Sequence, residues 1–221
     1  MRVLITTDAF PPVCGGSGWS TYELAKGLRN RAHHVEIIKP SVERHNELTE
    51  SFDGFTPAIF PHWSPPVPYV RNYFKNELLY KRLTRHFRQV IREMKIDIVH
   101  AQHRLTGPPS IAAANREGIP SVCTIRDYWP VCYWSDLIVT PDSEALCPSC
   151  TVSTMTRCVR PRAGALWPLA IPMIPYMRSN LARKRTALSR ATAVIAVSSA
   201  IATDLKVRAP ELGETEVQTI P

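Results

Sequence analysis

Residues 2–40 of the chain read RVLITTDAFPPVCGGSGWSTYELAKGLRNRAHHVEIIKP. The apolar, β-branched run at residues 2–7 predicts a strand that is buried on both faces. A glycine-rich loop follows, then apolar residues recur at helical spacing from Trp19, and residues 35–38 predict a second strand. A strand, a loop, a helix and a strand form a βαβ unit. This unit predicts an α/β fold, with a Rossmann-like, doubly wound parallel sheet flanked by helices.

The glycine-rich loop lies between the carboxyl end of a strand and the amino end of a helix. Backbone N–H groups and the helix dipole make this position suitable for an anionic ligand. A dinucleotide is disfavoured, because the G-x-G at residues 16–18 is followed by Thr21 and no acidic residue follows Ile38. The loop is therefore predicted to bind a phosphate or a sugar, with a purely structural turn as the alternative.

The rest of the chain continues the alternation of strands and helices. Further strands are predicted at 96–100, 121–125, 193–197 and 217–220, and further helices at 70–94, 108–116, 177–190 and 199–207. Residues 41–68 are polar and interrupted by prolines, so they are predicted to form a surface excursion outside the sheet. The helix at 70–94 is predicted to bury Leu78, Leu79, Leu83, Phe87, Val90 and Ile91.

Four motifs follow one another along the chain. They are the Pro11-Pro12 and Gly15-Gly16 loop with its flanking elements, DIVHAQH at 97–103, GIPSVCTIRDYW at 118–129 and ATAVIAVSSAIATDL at 191–205. In this order they resemble the N-terminal domain of the group 1, family 4 glycosyltransferases of GT-B fold. The resemblance covers nearly the whole chain. It implies a single Rossmann-like domain at residues 1–221, which is one half of a GT-B fold.

In that family a second domain carries most of the nucleotide-sugar pocket. Residues 216–221 resemble the crossover that leads to it, so the C-terminal donor-binding domain is expected to be absent from this chain. The resemblance implies the acceptor side of an enzyme that transfers a sugar from a nucleotide-sugar donor to a glycan or lipid-linked acceptor, as in cell-envelope glycan synthesis. No cofactor is expected for catalysis, and the isolated chain is expected to be inactive. The alternative is a non-catalytic Rossmann-like domain that binds a phosphorylated or glycan ligand, or a partner protein.

Candidate substrate-binding residues follow the predicted strands and the glycine loop. Arg126 stands where the family usually has a histidine that is associated with the reacting sugars. Arginine offers no titratable imidazole, but its guanidinium can bind a phosphate through two hydrogen bonds. The sequence assigns no catalytic residue, and no arrangement typical of a hydrolase is present. The candidate set is Asp8, Gly15, Gly16, Trp19, His103, Arg104, Arg126 and Asp127.

Four cysteines follow the strand predicted at 121–125, within a loop insertion at about 130–165. They are Cys132, Cys147, Cys150 and Cys158. A C-x-x-C pair with two further cysteines can supply four thiolates to a structural zinc ion, which would hold together an irregular segment that lacks a core. The alternative is a set of free thiols.

Six cysteines without a secretory context indicate a reducing compartment, so a cytoplasmic location is predicted.

The net charge of +8 is concentrated in one region. Residues 145–203 contain no Asp or Glu but eight basic residues, and between them residues 163–177 are apolar and include Trp167 and Tyr176. Such a segment favours peripheral contact with an anionic membrane, at its inner face, through an inserted loop. The alternative is that the segment covers the sheet or packs on the second domain. Nucleic acid is not a predicted partner, because no aromatic stacking platform accompanies the charge.

Overall fold

A computed structural model describes the protein over residues 1–42, 51–140 and 146–220. Within these ranges, seven parallel strands form one sheet in the order β3-β2-β1-β4-β5-β6-β7. The strands are β1 (Arg2–Thr6), β2 (His34–Ser41), β3 (Ala58–Pro61), β4 (Ile98–Ala101), β5 (Ser121–Ile125), β6 (Ala193–Ala196) and β7 (Val217–Thr219). The strand order reverses direction between β1 and β4. In such sheets ligands bind outside the carboxyl ends of the strands at this point.

Helices cover both faces of the sheet. They are α1 (Gly16–Asn30), α2 (Pro68–Phe74), α3 (Tyr80–Glu93), α4 (Gly107–Glu117), α5 (Val152–Ala163), α6 (Trp167–Ala170), α7 (Ile174–Leu188) and α8 (Ser199–Arg208). Val3 and Ile5 of β1 belong to the apolar cluster of α1, whereas Leu4 belongs to the cluster of α3 and α4. β1 is therefore buried on both faces. The predicted Rossmann-like, doubly wound parallel sheet is confirmed, with element bounds that differ by a few residues.

β3 corrects the prediction for residues 41–68. The prolines of this stretch predict a surface excursion, but Ala58–Pro61 pairs in parallel with β2, from Ile38 opposite Ala58 to Ser41 opposite Pro61. Proline is tolerated here because β3 lies at the edge of the sheet, where one side of the strand has no hydrogen-bonding neighbour. Residues 43–50 of the stretch lie outside the described residues.

The cysteine-containing segment at 130–165 is also more ordered than predicted. It includes the 12-residue helix α5. Thr151 is the N-cap of this helix, and its Oγ1 accepts a hydrogen bond from the Thr154 N–H at 3.2 Å. Met155 and Val159, one helical turn apart, are buried in an apolar cluster shared with α7. The expectation of an irregular loop without a core is wrong, because these residues supply one.

A π-helical turn, Lys75–Leu79, joins α2 to α3 within the helix predicted at 70–94. Leu79 and Leu83 have no exposed surface, as predicted, but Leu78 is 50% exposed. Adjacent helical residues point about 100° apart, and the extra residue of a π-helical turn shifts the register of the residues that follow. Leu79 therefore takes the core position, and the predicted burial of Leu78 is wrong.

The difference between these leucines can be measured. We expect Leu83→Ala to lower the free energy of unfolding by about 2–5 kcal/mol, because it leaves a cavity in the core. The matched control Leu78→Ala removes an exposed side chain and is expected to change stability by no more than about 0.5 kcal/mol. Urea unfolding followed by circular dichroism measures both values. Equal losses for the two variants would contradict the helical register described here.

Candidate functional site

A cavity of about 450 Å³ opens at the carboxyl ends of β1, β2 and β4. Its walls come from the segments that follow these strands, from the π-helical turn and from α7. The charged residues that line it are Asp8, Lys75, Arg104 and Lys184. Two of the predicted site residues, Asp8 and Arg104, thus share one cavity. The other two are additions that only the structure supplies.

Asp8 lies two residues beyond the end of β1 and faces this cavity. Its Oδ2 accepts a hydrogen bond from the Leu105 backbone N–H at 3.2 Å, while its Oδ1 is buried and has no partner among the described residues. Burial raises the pKa of Asp8 to about 6, against the lowering effects of the Leu105 N–H and of Arg104. Asp8 therefore fixes the turn after β4 rather than capping the glycine loop. The unpaired Oδ1 makes Asp8 a candidate for a hydrogen bond to a ligand.

Three cations surround the same cavity. Lys184 of α7 is only 4% exposed, and its ammonium lies 5.8 Å from the centre of the Tyr133 ring. Burial, followed by the charge of Arg104, lowers the pKa of Lys184 to about 7, while Asp127 acts in the opposite direction. Burial also lowers the pKa of Lys75, and Arg104 adds to this effect. In the sequence, Lys184 belongs to the basic region at residues 145–203, and no motif marks Lys75 as a site residue.

Arg126 follows β5 and lies beside the first turns of α1. Its Nη2 donates to Oε1 of the buried Gln102 at 2.6 Å, and its Nη1 donates to Oγ of Ser20 at 2.9 Å. Gly15 is the N-cap of α1, and a Cβ at Gly15 or Gly16 would meet no atom within 4 Å. The start of α1 is therefore an open backbone surface next to a fixed guanidinium, as an anion site requires.

Two histidines near Arg126 are neutral at physiological pH. Burial, with a further contribution from Arg126, lowers the pKa of both His100 and His103 to about 4. Nε2 of His100 shares a hydrogen bond with Oγ1 of Thr124 at 2.8 Å. In contrast, Nε2 of His103 is buried and has no partner among the described residues. His103 can therefore take part in a hydrogen bond with a ligand, but it cannot contribute positive charge.

The remaining candidates lie at the margins. Oδ1 of Asp127 accepts from the Trp129 N–H at 2.7 Å, and burial raises the pKa of its carboxyl. Trp19 packs edge-on against Phe52, with 5.4 Å between the ring centres, and stays partly exposed. The site residues thus form two groups, Asp8 and Arg104 at the cavity, and Gly15, Gly16, His103 and Arg126 at the start of α1. Their role in binding stays a prediction.

Comparison with known proteins identifies the family. The sequence model of Glycosyltransferase Family 4 matches residues 14–221. The chain belongs to this family. Alpha-monoglucosyldiacylglycerol synthase of Acholeplasma laidlawii is 30% identical to it over 128 residues, which are 57% of this chain and 30% of that protein. The family resemblance found in the sequence is confirmed.

Solved structures support the fold. Sucrose-phosphate synthase from Thermosynechococcus elongatus superimposes on the whole chain with a TM-score of 0.64 at 12% identity, over 47% of its own length. A second structure of that enzyme gives a TM-score of 0.58 at 10% identity, over 88% of its length. At these identities the likeness concerns the fold alone, which is that of GT-B glycosyltransferases. The chain spans about half of the first of these enzymes and less than a third of the curated relative.

The four cysteines of this family 4 chain converge. Cys132, Cys147, Cys150 and Cys158 all line one small cavity of about 10 Å³, and their thiols are free. The interaction between the neighbouring thiols of Cys132 and Cys150 lowers the pKa of Cys132 and raises that of Cys150. However, no three Cys, His, Asp or Glu side chains in the described ranges are arranged to hold a metal ion. Three thiols instead donate to backbone carbonyls at 3.3–3.5 Å. To bind zinc, these three cysteines would have to lose their weak hydrogen bonds and coordinate the ion as thiolates.

Zinc therefore stays a prediction, and metal analysis tests it. We expect freshly purified, reduced protein to contain about one equivalent of zinc, which is lost on replacing Cys158 by Ser. The matched control Cys14→Ser changes a cysteine outside this cavity and should keep the zinc. Metal-free protein in which all four thiols react with a thiol reagent would exclude the zinc site.

Proposed function

We propose that the chain is the acceptor-side, N-terminal domain of an enzyme that transfers a sugar from a nucleotide-sugar donor to a lipid-linked or glycan acceptor. Membership of family 4 supports sugar transfer. One structural observation carries the assignment to the acceptor side. The cavity lined by Asp8 and the open start of α1 beside Arg126 lie along the same carboxyl edge of the sheet. A sugar acceptor and an anionic donor group can therefore approach each other there.

The two parts of the site would act differently. At the start of α1, backbone N–H groups and Arg126 would stabilise negative charge on the diphosphate as it leaves the donor sugar. In the cavity, the free Oδ1 of Asp8 would accept a hydrogen bond from an acceptor hydroxyl and orient it for attack. The donor would be held mainly by a second domain, as the family resemblance implies. Transfer by the 221-residue chain alone is therefore not expected.

The transfer assay tests this function. With a donor-binding domain supplied, we expect sugar transfer. Arg126→Ala should raise the activation free energy by about 1.5–3 kcal/mol through loss of a charge-assisted contact, which lowers kcat/KM roughly 10- to 150-fold. The matched control is Arg190→Ala. Arg190 is exposed and precedes β6, so it lies at the amino ends of the strands, away from the site at their carboxyl ends. Its kcat/KM should match that of the unchanged protein.

The alternative function is a non-catalytic domain that binds a phosphorylated or glycan ligand. We call the chain together with a supplied donor-binding domain the complemented enzyme. If the complemented enzyme transfers no sugar but the chain still binds the ligand, the alternative is favoured. Transfer by the 221-residue chain alone, without a second protein, would instead contradict the proposed two-domain arrangement.

We further propose that residues 163–177 contact an anionic membrane. Residues 164–173 form short helical turns rather than the predicted loop, namely a 3₁₀ turn, α6 and a second 3₁₀ turn, and residues 174–177 are the first turn of α7. Leu166 and Leu169 are 67% and 75% exposed, and the Arg160 guanidinium lies 5.3 Å from the centre of the Trp167 ring. The name of the Acholeplasma relative denotes synthesis of a glucosylated diacylglycerol, which supports a lipid acceptor. In the part of the chain that the structure describes, no helix has the length and apolar character needed to span a bilayer.

The charge of this region is smaller than its sequence indicates. Residues 145–203 contain no acid, but acids from elsewhere in the chain pair with three of its arginines. The pairs are Arg162 with Asp136, Arg183 with Glu77 and Arg185 with Glu211. Tyr176 donates a hydrogen bond to Glu77 at 3.0 Å and is half-buried, so it is poorly placed to enter a membrane. Arg157, Arg160 and Arg178 are the better candidates for lipid contacts, because they lie close to residues 163–177 in the chain and none of the ion pairs among the described residues includes them.

Vesicle sedimentation tests the membrane contact. We expect the protein to bind anionic vesicles more strongly than neutral ones and to lose binding as salt is added, because salt screens the basic residues. Replacing Leu166 and Leu169 together by Ser should weaken binding, whereas Val207→Ser, which changes an equally exposed residue of α8, should not. Equal binding to neutral and anionic vesicles would exclude the electrostatic contribution. Unchanged binding of the double variant would exclude insertion of this segment.

A further inference from the structure

Lys184 is the least expected side chain in the cavity. A lysine is almost never this deeply buried unless its ammonium is paired with a negative charge. The neighbouring Arg183 and Arg185 both form ion pairs, with Glu77 and Glu211. None of the ion pairs among the described residues includes Lys184. An ammonium that is buried outside any ion pair beside an open cavity is accommodated either by loss of its proton, which its lowered pKa favours, or by the counter-charge of a ligand in the cavity.

Lys75 and Arg104 strengthen this argument. Both line the cavity together with Lys184. Among the described residues that line the cavity, Asp8 is the one carboxylate, so the basic side chains outnumber the acidic ones. The π-helical turn brings Lys75 into the lining. The Arg104 backbone carbonyl accepts a hydrogen bond from the Tyr80 hydroxyl at 2.8 Å, which fixes the start of the turn that carries this guanidinium.

His62 adds hydrogen-bonding capacity without charge. It is buried in the lining, and neither of its ring nitrogens has a partner among the described residues. Burial, followed by the charges of Lys75 and Arg82, lowers the pKa of His62, so its ring is neutral at physiological pH. The cavity volume of about 450 Å³ lies within the range of sites for small ligands.

We propose that this cavity binds an anionic group of the sugar acceptor, a phosphate or similar oxyanion, through Lys184, Lys75 and Arg104. The inference rests on the proposed function and names the class of acceptor. Arg126 does not line the cavity, so the acceptor's anion would be bound apart from the donor's diphosphate. The shared chemistry is that of a phosphate monoester or diester, which either a soluble sugar phosphate or a phospholipid head group carries.

Sulfate is the probe for the first experiment, because it remains a dianion across the pH range in which Lys184 titrates. We expect saturable sulfate binding to the chain by calorimetry, weakened about tenfold or more by Lys184→Met and by Lys75→Met. The matched control is Lys81→Met. Lys81 is an exposed residue of α3 that does not line the cavity, so this variant should bind sulfate as tightly as the unchanged protein. Because Lys184→Met alters a buried position, Lys75→Met provides an independent second variant. Absence of sulfate binding, or binding unchanged by both substitutions, would overturn the proposal.

The pH dependence provides a second readout. The charged groups that act on Lys184 are Arg104 and Arg183, which lower its pKa, and Asp127 and Glu77, which raise it. A bound anion favours the protonated ammonium, so sulfate binding should weaken from about pH 7 to about pH 8.5. This window lies above the range in which the Asp8 carboxyl of the same cavity ionises. In Lys184→Met this dependence should be much smaller. An equally steep dependence in that variant would show that another group is responsible.

Competition with sulfate separates the two sources of phosphate. Displacement by a soluble hexose phosphate, or by phospholipid in mixed micelles, supports the proposal and identifies the source. If neither displaces sulfate, the assignment to an acceptor is wrong. In the complemented enzyme, Lys184→Met should raise the KM for the acceptor and leave that for the nucleotide sugar unchanged. Transfer with an unchanged acceptor KM would refute this inference alone, whereas sulfate binding without any transfer would refute the proposed function alone.

Discussion

The burial of β1 on both faces is the constraint on which the candidate site depends. Val3 and Ile5 pack towards α1, while Leu4 packs towards α3 and α4, so the strand can neither rotate nor shift by one residue without exposing apolar side chains. Backbone pairing with β2 and β4 fixes its end as well. The segment that leaves β1 therefore begins at a fixed point. Asp8 and the glycine loop take their positions from it.

A buried polar network secures the same point. Oγ1 of Thr6, the last residue of β1, shares a hydrogen bond with Oγ of Ser110 in α4 at 2.8 Å. The Thr6 carbonyl accepts from the Gln102 N–H at 2.9 Å and from the Thr106 hydroxyl at 3.3 Å. These groups are fully or almost fully buried, so the loss of one partner would leave the other unsatisfied. The network connects the end of β1 to the turn that carries Arg104 and to the glutamine that orients Arg126.

The sequence predicted those features that depend on local pattern. The βαβ unit and six of the strands follow from spacing and residue type. The features it missed depend on the tertiary structure. β3 is acceptable only because it is an edge strand, and α5 is stable because Met155 and Val159 reach α7. Lys184 belongs to a basic run in the sequence, and only the packing of α7 shows that it points inward.

The π-helical turn has a further consequence for how the site can change. It contains one residue more than an α-helical turn, and the extra residue is accommodated between α2 and α3 without disturbing the burial of Leu79 and Leu83. Loss of a single residue here would restore regular α-helix and rotate the preceding helix by about 100° relative to α3. Lys75 would then leave its place in the cavity lining, while Leu79 and Leu83 of the core kept theirs. A one-residue deletion at this turn would thus change the charge of the cavity and leave these two core leucines in place.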